Sequence, residues 1–225
     1  MKQLIERLGY DFKEPALLEE ALTHSSFANE GNRHVANNER LEFLGDSVLG
    51  MIAASYLFEH DKSREGELTK LRASIVCEQA LSSYSRELGV GEHLRLGKGE
   101  RMNGGQDRPS ILADAFEAIL AAIFLDGGME AAKAFVTPFL VKEIASQKRR
   151  HFKDYKTQLQ EIVQQTPEER VEYVLTGESG PDHNKRFTVE VHLNSNVIGR
   201  GEGKSKKNAE QQAAKEALGL MGITL

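Results

Sequence analysis

Apolar residues recur at spacings of three and four through the first 148 residues, whereas beyond them apolar and polar positions alternate. "PALLEEALTHSSF" has the helical period, with Pro15 suited to a first turn. The polar loop "ANEGNRHVANN" ends in Asn37 and Asn38, both good N-caps, and a long helix is predicted from about Glu39 to Phe58. "REGELTKLRASIVCEQALSSYSRELG" predicts one further helix, stopped by Gly89. "VGEHLRLGKGERMNGGQDRP" is Gly-rich and has no clear period. Pro109 and Ser110 introduce the strongly apolar helix "ILADAFEAILAAIFLDGG", closed by two glycines. "MEAAKAFVTPFLVKEIASQ" predicts another, interrupted by Pro138.

The texture changes at "KRRHFKDYKTQ", where Arg149, Arg150, Lys153 and Lys156 make a basic, polar stretch. "YKTQLQEIVQQ" then predicts a short helix. "ERVEYVLTGES" and "KRFTVEVHLNSNVIGRGEG" alternate like strands, with a hairpin turn at Asn194, Ser195 and Asn196. "SKKNAEQQAAKEALGLM" predicts a last helix with an alanine-rich face. The predicted architecture is multidomain: an all-α domain over residues 1–147, a linker over 148–154, and a small α+β domain over 155–222. The latter has the order α-β-β-β-α, with its helices on one face of an antiparallel sheet.

Composition adds bounds. The chain has 225 residues, enough for two domains, and 40% of them are hydrophobic. No uninterrupted apolar run is long enough to span a bilayer. The N-terminal "MKQLIERLGY" lacks the apolar core of a signal peptide, so no membrane partner is expected and a cytoplasmic location is. The single Cys77 allows no internal disulfide, fits a reducing compartment, and is predicted from its periodicity to be buried. A net charge of −5 argues, taken alone, against nucleic acid. It is unevenly spread: residues 1–148 hold 17 Lys and Arg against 23 Asp and Glu, and residues 149–225 hold 12 against 11.

The acidity has a pattern. In "NERLEFLGDSVLG", Glu39, Glu42 and Asp46 fall within an arc of about 60° on the predicted helix. Leu41, Leu44, Val48 and Ile52 lie opposite, on the core face. Phe43 joins neither set and is a candidate for burial by another subunit. Such a stripe is either a solvated surface or one side of a cation site. In "ILADAFEAIL", Asp114 and Glu117 are i, i+3 neighbours on an otherwise apolar helix, where unpaired carboxylates cost several kcal/mol each unless a cation is present. Oxygen ligands without His or Cys clusters point to Mg²⁺ or Mn²⁺. Glu65 and Glu67 stand at another helix start, where one of them is alternatively a partner of the helix dipole alone. Carboxylates from two helices around a divalent ion suit phosphodiester hydrolysis, since the ion inverts the local charge.

Lys204, Lys206 and Lys207 open the last helix, where free N–H groups also favour phosphate. With the α-β-β-β-α order and the loop "GPDHNKRF", this part resembles a double-stranded-RNA-binding domain. The resemblance implies that Gln158 and Glu161 contact one minor groove, His183 the next, and the lysines the phosphates between them. His24, in "ALTHSS", reads as a structural capping or core residue.

The whole chain resembles bacterial ribonuclease III. The segment "NERLEFLGDSVLG" matches that family's signature, and "REGELTKLRASIV", "LGKGE" and "RPSILADAFEAILAAIFLDGG" follow in the family's order. The resemblance implies metal ligation by Glu42, Asp114 and Glu117, with Glu117 indispensable to catalysis. It places Asp46 among the active-site acids, and Glu39 and Glu65 as further acids lining a cleavage valley. It also implies a homodimer with Phe43 at its interface. Such a dimer would make Mg²⁺-dependent cuts in double-stranded RNA, leaving 5′-phosphate and 3′-hydroxyl ends with a short 3′ overhang. Expected substrates are ribosomal RNA precursors and other structured transcripts.

Overall fold

The computed structural model describes residues 1–30, 35–151, 154–166, 168–181 and 185–223. They divide between two compact units, Met1–Gln147 and Lys148–Leu225. Among the described residues the first unit holds helices and no strand beyond an isolated bridge between Thr23 and Arg95: α1 (Lys2–Leu8), α2 (Pro15–Ala21), α3 (Ser25–Asn29), α4 (Glu39–His60), α5 (Glu65–Ile75), α6 (Glu78–Leu88), α7 (Lys98–Met102) and α8 (Pro109–His151), whose last residues run past Gln147. Gly128, at φ 78°, is the one non-helical position inside α8, so the two helices read from the sequence run on with a break at the glycine pair. A residue with a Cβ is strained at that φ, which is why the break falls there.

The core is built around the first turns of α8. Phe116, Ile119, Leu120 and Ile123 are fully buried, and Phe116 meets the rings of Tyr84, Phe135 and Phe139 at centroid distances of 5.4 to 5.6 Å. Leu41, Val48, Leu49, Ile52 and Leu57 bring the inner face of α4 into the same core. By length and composition α4 is apolar enough to cross a bilayer, although no uninterrupted apolar run is. Its first two turns nevertheless carry Glu39, Glu42 and Asp46.

Three local expectations are corrected. The stretch from Arg64 to Gly89 forms two helices, broken at Val76 and Cys77, where Cys77 has extended backbone and N-caps α6. The β-branched pair Ile75-Val76 weakens helix propensity there, and the Tyr84 hydroxyl donates to the freed Ile75 carbonyl at 3.1 Å. Cys77 is consequently exposed rather than buried. The segment read as an aperiodic loop contains α7 and two 3-10 turns, Val90–His93 and Gly105–Asp107. Gly89 ends α6 in the left-handed region, as read from the sequence.

The second unit has α9 (Tyr155–Val163), β1 (Val171–Ser179), β2 (Arg186–Leu193), β3 (Asn196–Gly203) and α10 (Lys206–Leu220). The strands form an antiparallel sheet in the order β1-β2-β3, and Asn194 takes the positive φ of the tight β2–β3 turn. The alanine face of α10, with Ala209, Ala213, Ala214 and Ala217 all fully buried, packs on Val189 and Val191 of the sheet and on Leu159 of α9.

One contact in the first unit is tighter than any side chain allows. A Cβ on Gly45 of α4 would lie 2.0 Å from the Glu117 backbone oxygen of α8. Gly45→Ala is therefore expected to destabilise the helical unit by at least about 1–3 kcal/mol, the usual cost of overpacking. A fall in its urea midpoint, followed by circular dichroism, measures this.

Candidate metal centre and nucleic-acid surface

The close approach at Gly45 sets the site. Glu42 stands one turn before Gly45 on α4, and Asp114 and Glu117 lie one turn apart on α8. Glu42, Asp114 and Glu117 each offer a carboxylate oxygen, and these three atoms lie within 4.8 Å of one another. All three side chains are half-buried. None pairs with a Lys or Arg among the described residues.

The electrostatics record this crowding. Burial, followed by the charges of Asp46, Glu42 and Asp114, pushes the Glu117 carboxyl up to about 8. Burial raises Glu42 as well, with Asp114, Glu39 and Asp46 adding to it. Asp114 is raised by burial, pulled back by His24, and raised again by Glu78. Three acids that resist ionisation, and that no Lys or Arg among the described residues pairs with, form a donor set that fits a hard divalent cation. Such an ion supplies the charge that would let them ionise together.

Asp46 and Glu39 are exposed on α4 beside the cluster and act on it through their charge. Glu65 is not one of the three residues whose oxygens converge. It is the first residue of α5 and accepts a hydrogen bond from the Thr69 hydroxyl at 3.0 Å. Its neighbour Glu67 reaches back to the Arg64 backbone N–H at 3.3 Å, so the capping role belongs to Glu67. Phe43 is 78% exposed, and Met51 and Phe58 of the same helix are also exposed.

Sequence reasoning missed Gly45, which carries no chemistry, so its role in the approach of the helices has no signature in the chain. Asn38 is the N-cap of α4 as expected, but its side chain makes no capping bond. It is 2% exposed, its backbone N–H donates to Thr23 at 2.8 Å, and its carbonyl accepts from Glu42 at 2.8 Å. It hangs the acid-bearing first turn of α4 from the segment before α3.

In the second unit, Lys204, Lys206 and Lys207 are exposed around the start of α10, where the Ser205 hydroxyl caps Asn208 N–H at 3.2 Å. Lys206 Nζ is 3.5 Å from Glu178 and 5.9 Å from the centroid of the Phe187 ring. Gln158 is half-buried and Glu161 exposed, one turn apart on α9. The start of α9 is tied to α10: Lys156 Nζ meets Glu210 at 2.6 Å, Lys156 N–H donates to Gln211 at 3.1 Å, and Gln211 donates to Asp154 at 2.7 Å. His183 lies outside the described residues.

Known proteins bear on both units. A family described as Ribonuclease-III-like matches residues 14–144, and a double-stranded RNA binding motif matches residues 155–221. Ribonuclease 3 of Caldanaerobacter subterraneus is 51% identical over 223 residues, covering 98% of this chain and 97% of that one. Ribonuclease 3 of Oceanobacillus iheyensis is 48% identical over 220 residues, covering 97% and 96%. Among solved structures, the nuclease domain of ribonuclease III from Campylobacter jejuni, described for flexibility in a region involved in dimer formation, is 43% identical. It covers 63% of this chain and 96% of its own, with a TM-score of 0.58. With a nuclease-type helical unit, a double-stranded RNA binding motif and near-full-length relatives, the chain belongs to the ribonuclease III family.

Proposed function

We propose that this protein is a double-stranded-RNA-specific endoribonuclease that hydrolyses phosphodiester bonds with Mg²⁺, with Mn²⁺ able to substitute. The observation that carries this reading is the three-carboxylate cluster of Glu42, Asp114 and Glu117, in one chain with a double-stranded RNA binding motif. When bound there, the ion supplies a Lewis acid that activates water and offsets charge on the phosphate and leaving oxygen. Glu42, Asp114 and Glu117 hold it, and the close packing of α4 on α8 fixes their separation. Asp46 and Glu39 extend the acidic field, and Glu65 serves as an outer acid of the cleavage valley. The products are 5′-phosphate and 3′-hydroxyl ends with a short 3′ overhang. The substrates are ribosomal RNA precursors and other structured transcripts, and the enzyme works in the cytoplasm.

The second unit holds the duplex by shape. Lys204, Lys206 and Lys207 contact phosphates, Gln158 and Glu161 one minor groove, and His183 the next. Residues 148–154 form the linker between an endonuclease domain over 1–147 and an RNA-binding domain over 155–222. The protein acts as a homodimer through the helical unit, which covers the exposed face bearing Phe43, Met51 and Phe58. Two sites then cut the two strands.

The test is incubation of a long RNA duplex with Mg²⁺ and with EDTA, beside a DNA duplex. Cleavage confined to RNA with Mg²⁺ is expected, and binding in both conditions with no cleavage would overturn the enzymatic reading. Glu117→Gln is expected to leave RNA binding within about twofold of the parent while reducing the cleavage rate by at least about 100-fold, as for loss of a group that anchors transition-state charge. Substituting Lys204, Lys206 and Lys207 together is expected to weaken RNA binding and lower its salt slope by about 2 to 3, one for each phosphate left without its lysine.

A pH dependence also follows. Glu117 titrates near 8 when folded and near its ordinary value when unfolded, so between these pH values the folded state holds a proton that the unfolded state has released. Metal-free stability contributed by this group is therefore full below about pH 4.5 and declines as the pH rises towards 8. Urea midpoints of the metal-free protein should fall over that window, Mg²⁺ should restore them at its upper end, and Glu117→Gln should flatten the slope.

A further inference from the structure

The two helices of the second unit meet through a sparse apolar contact. Leu159 and Val163 are the buried residues of α9, and they share a core with the alanines of α10. Small, smooth side chains supply burial but do little to fix how far one helix slides or turns on the other. A polar circuit stands at one end of this contact. Asp154, the N-cap of α9, accepts through Oδ1 from the Thr157 N–H at 3.2 Å and from the Gln211 amide at 2.7 Å. Its Oδ2 accepts from the Thr157 hydroxyl at 2.9 Å. Gln211 Oε1 in turn accepts from the Lys156 N–H at 3.1 Å. Lys156 Nζ closes on Glu210 at 2.6 Å and lies 4.5 Å from the centroid of the Tyr173 ring on β1. Gln211 thus donates and accepts at once, which fixes its amide in one orientation.

The place of this circuit in the unit gives it a use. Glu210 and Gln211 stand one helical turn after Lys206 and Lys207, and Asp154 stands one turn before Gln158. We propose that Asp154, Lys156, Glu210 and Gln211 are positioning residues for duplex recognition, setting the spacing between the groove-contacting face of α9 and the phosphate-contacting start of α10. This rests on the reading of Gln158, Glu161 and the three lysines as RNA contacts. A module that reads a duplex by shape must match the fixed distance from a minor groove to the phosphates beside it. An α9 able to shift on an alanine face loses that match, and the circuit prevents the shift without any of its four members touching RNA.

Gln211→Met keeps length and helix propensity but loses both hydrogen bonds. Asp154→Ala opens the circuit at its other corner, whereas Asp154→Asn retains an acceptor for Thr157 and Gln211. Binding of duplex RNA to the full chain without divalent metal is measured across a salt series, and hydrogen exchange over β2 and β3 reports whether the unit stays folded. Gln211→Met and Asp154→Ala are expected to weaken binding by about fivefold or more, the scale of one hydrogen bond lost to RNA, with strand protection retained. Their salt slope should equal the parent's, because no phosphate contact is removed. Asp154→Asn should bind within about twofold of the parent, since Asn caps as well as Asp. Coupling supplies the sharpest readout. Replacing Gln158 and Glu161 together by Ala should weaken the parent and cost at least about threefold less in Gln211→Met, while the triple lysine substitution costs the same in both. Parent-like affinity in Gln211→Met, an equal cost of the α9 substitutions in both backgrounds, or affinity lost only where strand protection is lost would overturn the inference and leave the RNA contacts standing. No cost of the α9 substitutions in the parent would overturn those contacts and the inference together.

Discussion

The structure turns on a contact between two backbones. Gly45 of α4 lies so near the Glu117 carbonyl of α8 that no side chain fits between them. That approach is what brings Glu42 within reach of Asp114 and Glu117, although the two helices are far apart in sequence. The hydrophobic inner faces of α4 and α8 supply the driving force, and the missing Cβ sets the distance. The cost is electrostatic, because like charges are concentrated in a half-buried place. A divalent cation held there, as proposed, would convert that cost into affinity, so the contact that burdens the metal-free fold would also define the site.

The opposition between an acidic chain and a polyanionic substrate is settled by division of labour. In the proposed reading, the helical unit carries the acids where an ion would reverse their sign, and the second unit presents exposed lysines at the start of α10, where the helix dipole would add to their pull on phosphate. Net charge is a poor guide here, since neither surface is described by the total of −5. The ties from Lys156 to Glu210 and Gln211 give the small RNA-binding unit polar anchoring beside a core made largely of alanine and valine.

Much of this was legible in the chain. Periodicity located α4, α8, the strands and α10, because burial on one face imposes a spacing that residue type reveals directly. The acids at 114 and 117 were legible for a related reason: a carboxylate on an apolar helix is costly, and so conspicuous. Glu42 was set apart from Glu39 and Asp46 only by the family resemblance. The break between α5 and α6 was not, because both sides keep one helical period, and the exposure of Cys77 follows from that break. Choosing between Glu65 and Glu67 as the capping acid also required the hydrogen bonds themselves.

The sequence alone determined the elements, the order of the two units, and the kinds of side chain able to bind a hard cation and RNA phosphates, since these depend on local spacing and residue chemistry. Tertiary structure alone decided how close α4 comes to α8, how near the carboxylate oxygens of Glu42, Asp114 and Glu117 lie to one another, and that Thr23 and Asn38 tie the start of α4 to the segment before α3. Those depend on contacts between residues distant in the chain, and a glycine's absent side chain leaves no periodic trace there.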